Sequence, residues 1–282
     1  MDVMLNNGIS MPLLGFGTFQ ITDPALCRDC VLQALKAGYR LIDTAACYGN
    51  EKAVGEALAE SGVPRDEVFL VSKVWVQDAG EEKTIRSFEK TLENLKTEYL
   101  DLYLIHMPLG DYHGSWRAME TLYKKGKVRA IGVCNFQEDR LADLILSHTV
   151  SPAVNQIELH PFCQQRKLRD FMAQYDIHPM AWAPFAEGKR GLFTDPLLEQ
   201  IGSAHGKSAA QAVLRWLIDQ KITVIPKSVH GDRIRSNQEI WDFSLSEDEH
   251  RMIRSMDLGS SLILDIQSQE EVYRLHGISF EQ

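Results

Sequence analysis

What most constrains this chain is a rhythm. Short apolar runs alternate with stretches of helical period along almost the whole sequence. The runs are Leu13–Phe19, Tyr39–Ala45, Val68–Val74, Leu100–His106, Val128–Phe136, Ala153–Leu159, Ile177–Pro184 and Thr223–Ser228. A strand with one wet face would alternate apolar and polar residues, whereas a parallel strand covered on both faces reads as a near-continuous apolar run. Between the runs, AVGEALAESG, EKTIRSFEKTLENLKTE and SAAQAVLRWLIDQ carry apolar residues at helical spacing, and Gly38, Gly62 and Gly126 stand where helices would stop. Eight such strands within 282 residues predict a single (β/α)8 barrel domain. The leading segment VMLNNGISMP, with Asn7-Gly8 between apolar residues, predicts a β-hairpin ahead of the barrel. The rival is a doubly wound open sheet, which normally carries G-x-G-x-x-G between its first strand and first helix. Here Gly15-Phe16-Gly17 runs on into Thr18-Phe19-Gln20-Ile21 and not into a helix, so the rival fails that test.

Composition narrows the function classes. A net charge of −9 argues against the basic face of a nucleic-acid binder. No apolar run approaches the ~18–20 residues that would span a bilayer, and Met1–Pro12 has neither the basic start nor the apolar stretch of a signal peptide. A cytoplasmic, monomeric protein acting on a small molecule is the expectation. Five cysteines, an odd number, do not make a disulfide framework. Cys27 and Cys30 form a C-x-x-C inside the helical stretch PALCRDCVLQALKAG, with no second pair to complete a metal site, so they read as ordinary helix positions. His160, His178, His205 and His230 are scattered and no H-E-x-x-H occurs, so no metal is expected.

In a (β/α)8 barrel the chemistry collects at the C-terminal ends of the strands. Read in order, those ends offer Asp43, Tyr48 in the loop beyond it, Lys73, His106, Asn135, Gln156 and Trp182. A carboxylate finishing a core strand must find a partner, because burying it alone is prohibitively costly. Lys73, at the end of the next strand, is that partner. A tyrosine beside the ammonium, starting from a reference value of about 10, is expected to release its proton more readily. Such a phenol suits a general acid for a carbonyl oxygen, and His106 adds a donor to orient that oxygen. Singly, an Asp–Lys pair, a barrel histidine and a loop tyrosine are all common structural features. The functional reading rests on four of them converging on one face.

The same stretches resemble the aldo-keto reductase family, and the likeness runs nearly end to end. NNGISMPLLGFGTF is similar to the family's opening hairpin and first strand, LIDTAACYGNEKAVG to the signature holding its Asp and Tyr, LVSKVW to its lysine segment, LYLIHMP to its histidine segment and IPKSVHGDRIRSN to its C-terminal cofactor motif. Five motifs in the right order are far more specific than one. The resemblance, which is to short-loop members like the bacterial diketogluconate reductases, implies a tetrad of Asp43, Tyr48, Lys73 and His106, with Tyr48 as proton donor. It also implies NADPH as hydride source, bound without a Rossmann domain. Asn135 and Gln156 would meet the carboxamide, Trp182 would stack on the nicotinamide, and Lys227, Ser228, Arg233 and Asn237 would surround the 2′-phosphate. A fixed cation plus a guanidinium fork suits that dianion. Three positions depart from the family's pattern: Cys134 where many relatives have serine, Met107 where many have tryptophan, and Ser236 where some are acidic.

On the substrate side, Phe19, Trp75 and Met107 are expected to line the mouth. Only MPLGDYHG separates His106 from the next helix, too little for a deep lid, although the tail from about Asp257 could cover one side. The expectation is a shallow, permissive site for small aldehydes, α-dicarbonyls or keto sugars. An alternative of another class is an NADPH-binding regulatory or interaction barrel with little turnover. The complete tetrad argues against it, since a pure binder has no physical need for Tyr48 beside Lys73.

Overall fold

A computed structural model describes residues 1–282. Strands β1 (Asp2–Met4) and β2 (Ser10–Pro12) form the antiparallel hairpin, and Gly8 takes φ 82° in its turn, a conformation open to glycine at no steric cost. Eight parallel strands follow: β3 (Phe16–Gly17), β4 (Leu41–Asp43), β5 (Phe69–Val74), β6 (Leu100–Ile105), β7 (Val128–Cys134), β8 (Val154–Glu158), β9 (His178–Trp182) and β10 (Thr223–Val224), each paired with its neighbours in chain order. The barrel closes where Leu14 bridges Val224: Gly15 N donates to Val224 O at 2.8 Å and Val224 N to Leu13 O at 2.9 Å. The (β/α)8 reading is borne out, and every barrel strand lies inside its predicted run.

The differences are in strand length. The two seam strands are only two residues each. Pro226 has no amide hydrogen with which to extend the ladder, although its carbonyl still accepts from Gly17 N at 3.1 Å. Strand β7 stops short of Phe136 because Asn135 turns to φ 62°.

Helices α1 (Pro24–Lys36), α2 (Glu51–Glu60), α3 (Glu81–Leu95), α4 (Tyr112–Lys124), α5 (Glu138–Ser147) and α6 (Arg166–Ala173) follow β3 to β8. Helices α7 (Pro196–Ala204) and α8 (Ala209–Asp219) follow β9, and α9 (Gly231–Ser236) follows β10. Asp23 starts α1 by accepting from Leu26 N, with Pro24 at the first helical position, where a missing N–H costs nothing. Cys27 and Cys30 are both fully buried on α1.

The barrel interior is packed with Leu41, Val71, Leu102, Leu104, Ala130 and Met180, and its lower end is shut by Leu5 and Met11 from the hairpin. Asn6 and Asn7 hold the hairpin there by donating to Pro152 O and Arg129 O at 3.0 and 2.9 Å. Polar chemistry is thereby left to the other end.

At that upper end the chain returns. After α10 (Glu247–Arg254), Leu262 N donates to Glu158 Oε1 at 2.8 Å. Beyond α11 (Gln269–Gly277), Ile278 O accepts from Trp75 Nε1 at 3.2 Å, and Gln77 bonds Phe280 through both N–H and C=O at 3.1 Å. Gln282 reaches Thr91 Oγ1 at 2.8 Å and Glu51 Oε2 at 3.2 Å. No helix is long and apolar enough to cross a membrane.

Candidate active site

The register of β4 and β5 builds the centre. Val71 lies opposite Asp43, so Lys73, two residues further on, projects from the same face one step nearer the mouth. Its Nζ lies 2.6 Å from Asp43 Oδ1 and donates to Thr44 O at 2.8 Å. Neither side chain sees appreciable solvent. The second Asp43 oxygen accepts from Gln156 Nε2 at 2.8 Å. Because β8 is four strands from β4 in an eight-stranded barrel, that bond crosses the bore. Burial pushes the Asp43 carboxyl up, and the Lys73 ammonium and Gln156 amide pull it back.

Tyr48 sits on a 3₁₀ turn (Ala46–Tyr48) ended by Gly49 at φ 68°. Asn50 fastens this loop. Its amide donates to Thr18 O at 2.9 Å and Ile21 O at 3.1 Å, and its Oδ1 accepts from Thr44 Oγ1 at 2.8 Å. The Tyr48 hydroxyl is thereby set 3.4 Å from Lys73 Nζ. The expectation of an acidified phenol is not met. Burial pushes Tyr48 well above its ordinary value and the Asp43 carboxylate adds to the effect. Lys73 is nearer to Asp43 than to Tyr48, so its charge is largely compensated before it reaches the phenol. Tyr48 is therefore held as a neutral O–H.

His106 continues β6, its N–H donating to Val74 O at 3.0 Å. The ring stands edge-on to Tyr48 (5.6 Å between centroids) and to Trp75 (4.9 Å). Burial and the Lys73 charge hold the imidazole well below its ordinary value, so it is neutral with a single N–H. All four tetrad residues meet at one end of the barrel.

Of the other predicted positions, Asn135, Gln156 and Trp182 adjoin this centre, whereas Lys227, Ser228, Arg233 and Asn237 lie after β10, on the loop and at α9. Asn135 donates to His106 O at 3.2 Å and accepts from Trp182 Nε1 at 2.8 Å, tying the histidine to the half-buried indole. Gln156 commits its amide nitrogen to Asp43, which leaves its Oε1 as the group free to meet a ligand. Lys227 is half-buried and Arg233 exposed, and neither has an ion pair within the chain, whereas Arg235 pairs with Asp232. Ser228 exchanges bonds with His230 in a local turn, and Asn237 is buried nearby. Two cations without a carboxylate, next to the loop after β10, form a donor set of the kind that holds a phosphate.

Phe19 is exposed and lies 4.9 Å from the Tyr48 ring. Trp75 and Met107 are buried in a cluster with Leu275, against which Leu264, Ile266 and Ile278 of the tail pack. The tail thus covers the side that the short loop after His106 leaves open. Asn50 was not singled out from the sequence, although it lies within the tyrosine signature. Cys47, with its Sγ 3.5 Å from His106 Nδ1, was missed as well. An apolar-looking residue in a loop gives no sign that a ring nitrogen will face it.

Comparison with known proteins places this arrangement. The model of the Aldo/keto reductase family matches residues 13–258. The chain is 46% identical over 257 residues to the 9,11-endoperoxide prostaglandin H2 reductase of Trypanosoma cruzi, covering 90% of this chain and 91% of that protein. It is also 46% identical over 256 residues to the glyoxal reductase of Bacillus subtilis, covering 90% and 92%. The crystal structure of a Bombyx mori aldo-keto reductase in complex with NADP superposes with a TM-score of 0.89 at 31% identity, covering 95% of this chain and 96% of that one. A barrel with this mouth, matched by the family model from its first strand to beyond its last, belongs to the aldo/keto reductase family.

Proposed function

We propose that this chain reduces small aldehydes and α-dicarbonyls, or keto sugars, to alcohols, with NADPH as the reductant and Tyr48 as the proton donor. The observation that carries the reading is the neutral Tyr48 hydroxyl set 3.4 Å from a buried Lys73 that is itself locked to Asp43 at 2.6 Å. The dihydronicotinamide, when bound, supplies hydride to the carbonyl carbon. As charge develops on the carbonyl oxygen, Tyr48 gives up its proton to it, and the phenolate left behind faces the Lys73 ammonium. His106 donates to the same oxygen and fixes its direction. Asn135, Gln156 and Trp182 are the groups that would hold the nicotinamide end. Lys227 and Arg233, with Ser228 and Asn237 beside them, would hold a 2′-phosphate.

The walls support this substrate class. Phe19, Trp75 and Met107 are apolar, and the Trp75 N–H is committed to Ile278 O, so that side offers shape and not hydrogen bonds. Met107 adapts its shape easily. With the tail packed against Trp75 and Met107, the mouth is less open than the short loop alone would leave it, which favours small carbonyl compounds over rigid polycyclic ketones. The likeness to the glyoxal reductase of Bacillus subtilis supports the same class. The test is NADPH oxidation measured with glyoxal, methylglyoxal, an aromatic aldehyde, a keto sugar and a steroid ketone. The small carbonyl compounds should show the highest kcat/KM. A steroid preference, or no turnover with any of them, would overturn the reading.

A further inference from the structure

We infer that Cys47 is a positioning residue for His106: its thiol donates to Nδ1 and so keeps the single imidazole proton on Nε2, where a substrate oxygen needs it. The inference rests on the reductase reading above and concerns a group that reading leaves unused.

A neutral imidazole carries one proton, and the hydrogen bond at one nitrogen decides where it sits. Within the chain the His106 ring makes one side-chain contact of this kind, Nδ1 to Cys47 Sγ at 3.5 Å, and Nε2 makes no hydrogen bond. If the proton sat on Nδ1, it would point at a weak sulfur acceptor and Nε2 would present a lone pair to the electron-rich carbonyl oxygen. With the proton on Nε2, the thiol donates to a good nitrogen acceptor and the imidazole donates to the substrate. Both bonds favour the same tautomer. The thiol keeps its proton for this, since burial pushes Cys47 up to about 12 despite the Lys73 charge nearby. The geometry is held from both sides. Cys47 lies in the middle of the 3₁₀ turn that also carries Tyr48, and it packs against the Trp75–Met107 cluster. His106 is fixed by its ladder bond to Val74 and by Asn135 on its carbonyl. One turn thus delivers the proton donor and sets the orientation of its partner's proton.

The experiment compares Cys47→Ala with Cys47→Ser by long-range nitrogen–proton correlation spectra of the histidine rings and by steady-state kinetics. In the unaltered protein the His106 ring should be in the Nε2–H form. Cys47→Ala should admit the Nδ1–H form and lower kcat and kcat/KM by about three- to tenfold, the span of one modest hydrogen bond, with NADPH affinity unchanged. Cys47→Ser restores a donor and should recover the Nε2–H signature and most of the lost rate. An Nδ1–H ring in the unaltered protein would overturn the assignment. So would an alanine variant with an unmoved tautomer, or a serine variant no better than alanine, which would mean that the turn and not the thiol matters. The spectra need no turnover, so failure of the reductase reading and failure of this one are told apart.

Discussion

Asp43 on β4 and Asp101 on β6 are both fully buried carboxylates, and they solve the same problem at opposite ends of the barrel. Asp101 accepts from Leu70 N at 2.9 Å and meets Arg65 at 2.8 Å and Arg129 at 2.6 Å. Its cations are partly solvated guanidinium groups that arrive from the outside. Asp43 has one buried ammonium and one neutral amide, both arriving from inside the bore. Both ends obey the rule that a buried charge must be paired. At the lower end the cations lean outward into water and nothing reactive faces them. At the upper end the cation is enclosed, and what remains of its field points at Tyr48. A shared device thus gives stability at one end and chemistry at the other, and the direction from which the cation arrives makes the difference.

The sharpest way to break that contrast is to strip each end in turn. Tyr48→Phe should lower carbonyl reduction by about 1,000- to 10,000-fold, the upper part of the range for a lost general acid, while the melting temperature and NADPH affinity hold. Near-normal turnover of this variant would remove Tyr48 from its role. Asp101→Asn should do the reverse, costing about 3 kcal/mol of stability in denaturant titrations, because two arginines lose their partner, while kcat of the folded protein stays within about twofold. A dead but fully stable Asp101→Asn enzyme would erase the division between the ends.

Two smaller effects refine it. Arg233→Ala should weaken NADPH binding about tenfold, the worth of one charge-assisted contact, and leave NADH nearly untouched; fluorescence titration with both cofactors is the check. Equal weakening would move Arg233 away from the 2′-phosphate. The pH response should be smallest. Tyr48 is raised and must stay protonated to act as an acid, and His106 is lowered and stays neutral on the acid side. The reduction rate should therefore be almost flat from about pH 6.5 to about 9, bounded by the ordinary histidine and tyrosine values. Alcohol oxidation needs the phenolate and should climb with pH over the same range. A reduction rate that falls steeply across neutral pH would show an acidified phenol after all.

The barrel and its tetrad were legible because they are carried by periodicity and by ionisable residues at strand ends, features that survive in one dimension. Lys73 can be paired with Asp43 from the sequence, since neighbouring parallel strands must bring their ends together. The protonation of Tyr48 could not be read that way. It depends first on how deeply the phenol is buried and on the Asp43 carboxylate beside it, and then on Lys73 lying 2.6 Å from Asp43 and 3.4 Å from Tyr48. The tail was expected near the mouth, but its contacts could not be named for a related reason: Ile278, Phe280 and Gln282 are bound mainly through backbone atoms and amides, and such contacts have no pattern in sequence. Asp101 drew no notice because it stands at the N-terminal end of its run, away from the strand ends where chemistry collects.

The division of labour along the chain has a consequence for recombination. Asp43, Tyr48, Lys73 and His106 come from β4 to β6, and the residues proposed to hold the cofactor come from β7 to β10. Between them lies the turn at Gly126, with φ 70° and open space around it. A crossover there would join the proton-handling half of this chain to the cofactor-holding half of a relative. Such a hybrid would have to conserve Gln156 on Asp43 and Asn135 on the His106 carbonyl, together with the bonds of the tail to Trp75 and Gln77, because the halves address each other there across the mouth. A chimera that keeps them should inherit its electrophile chemistry from one parent and its nucleotide preference from the other.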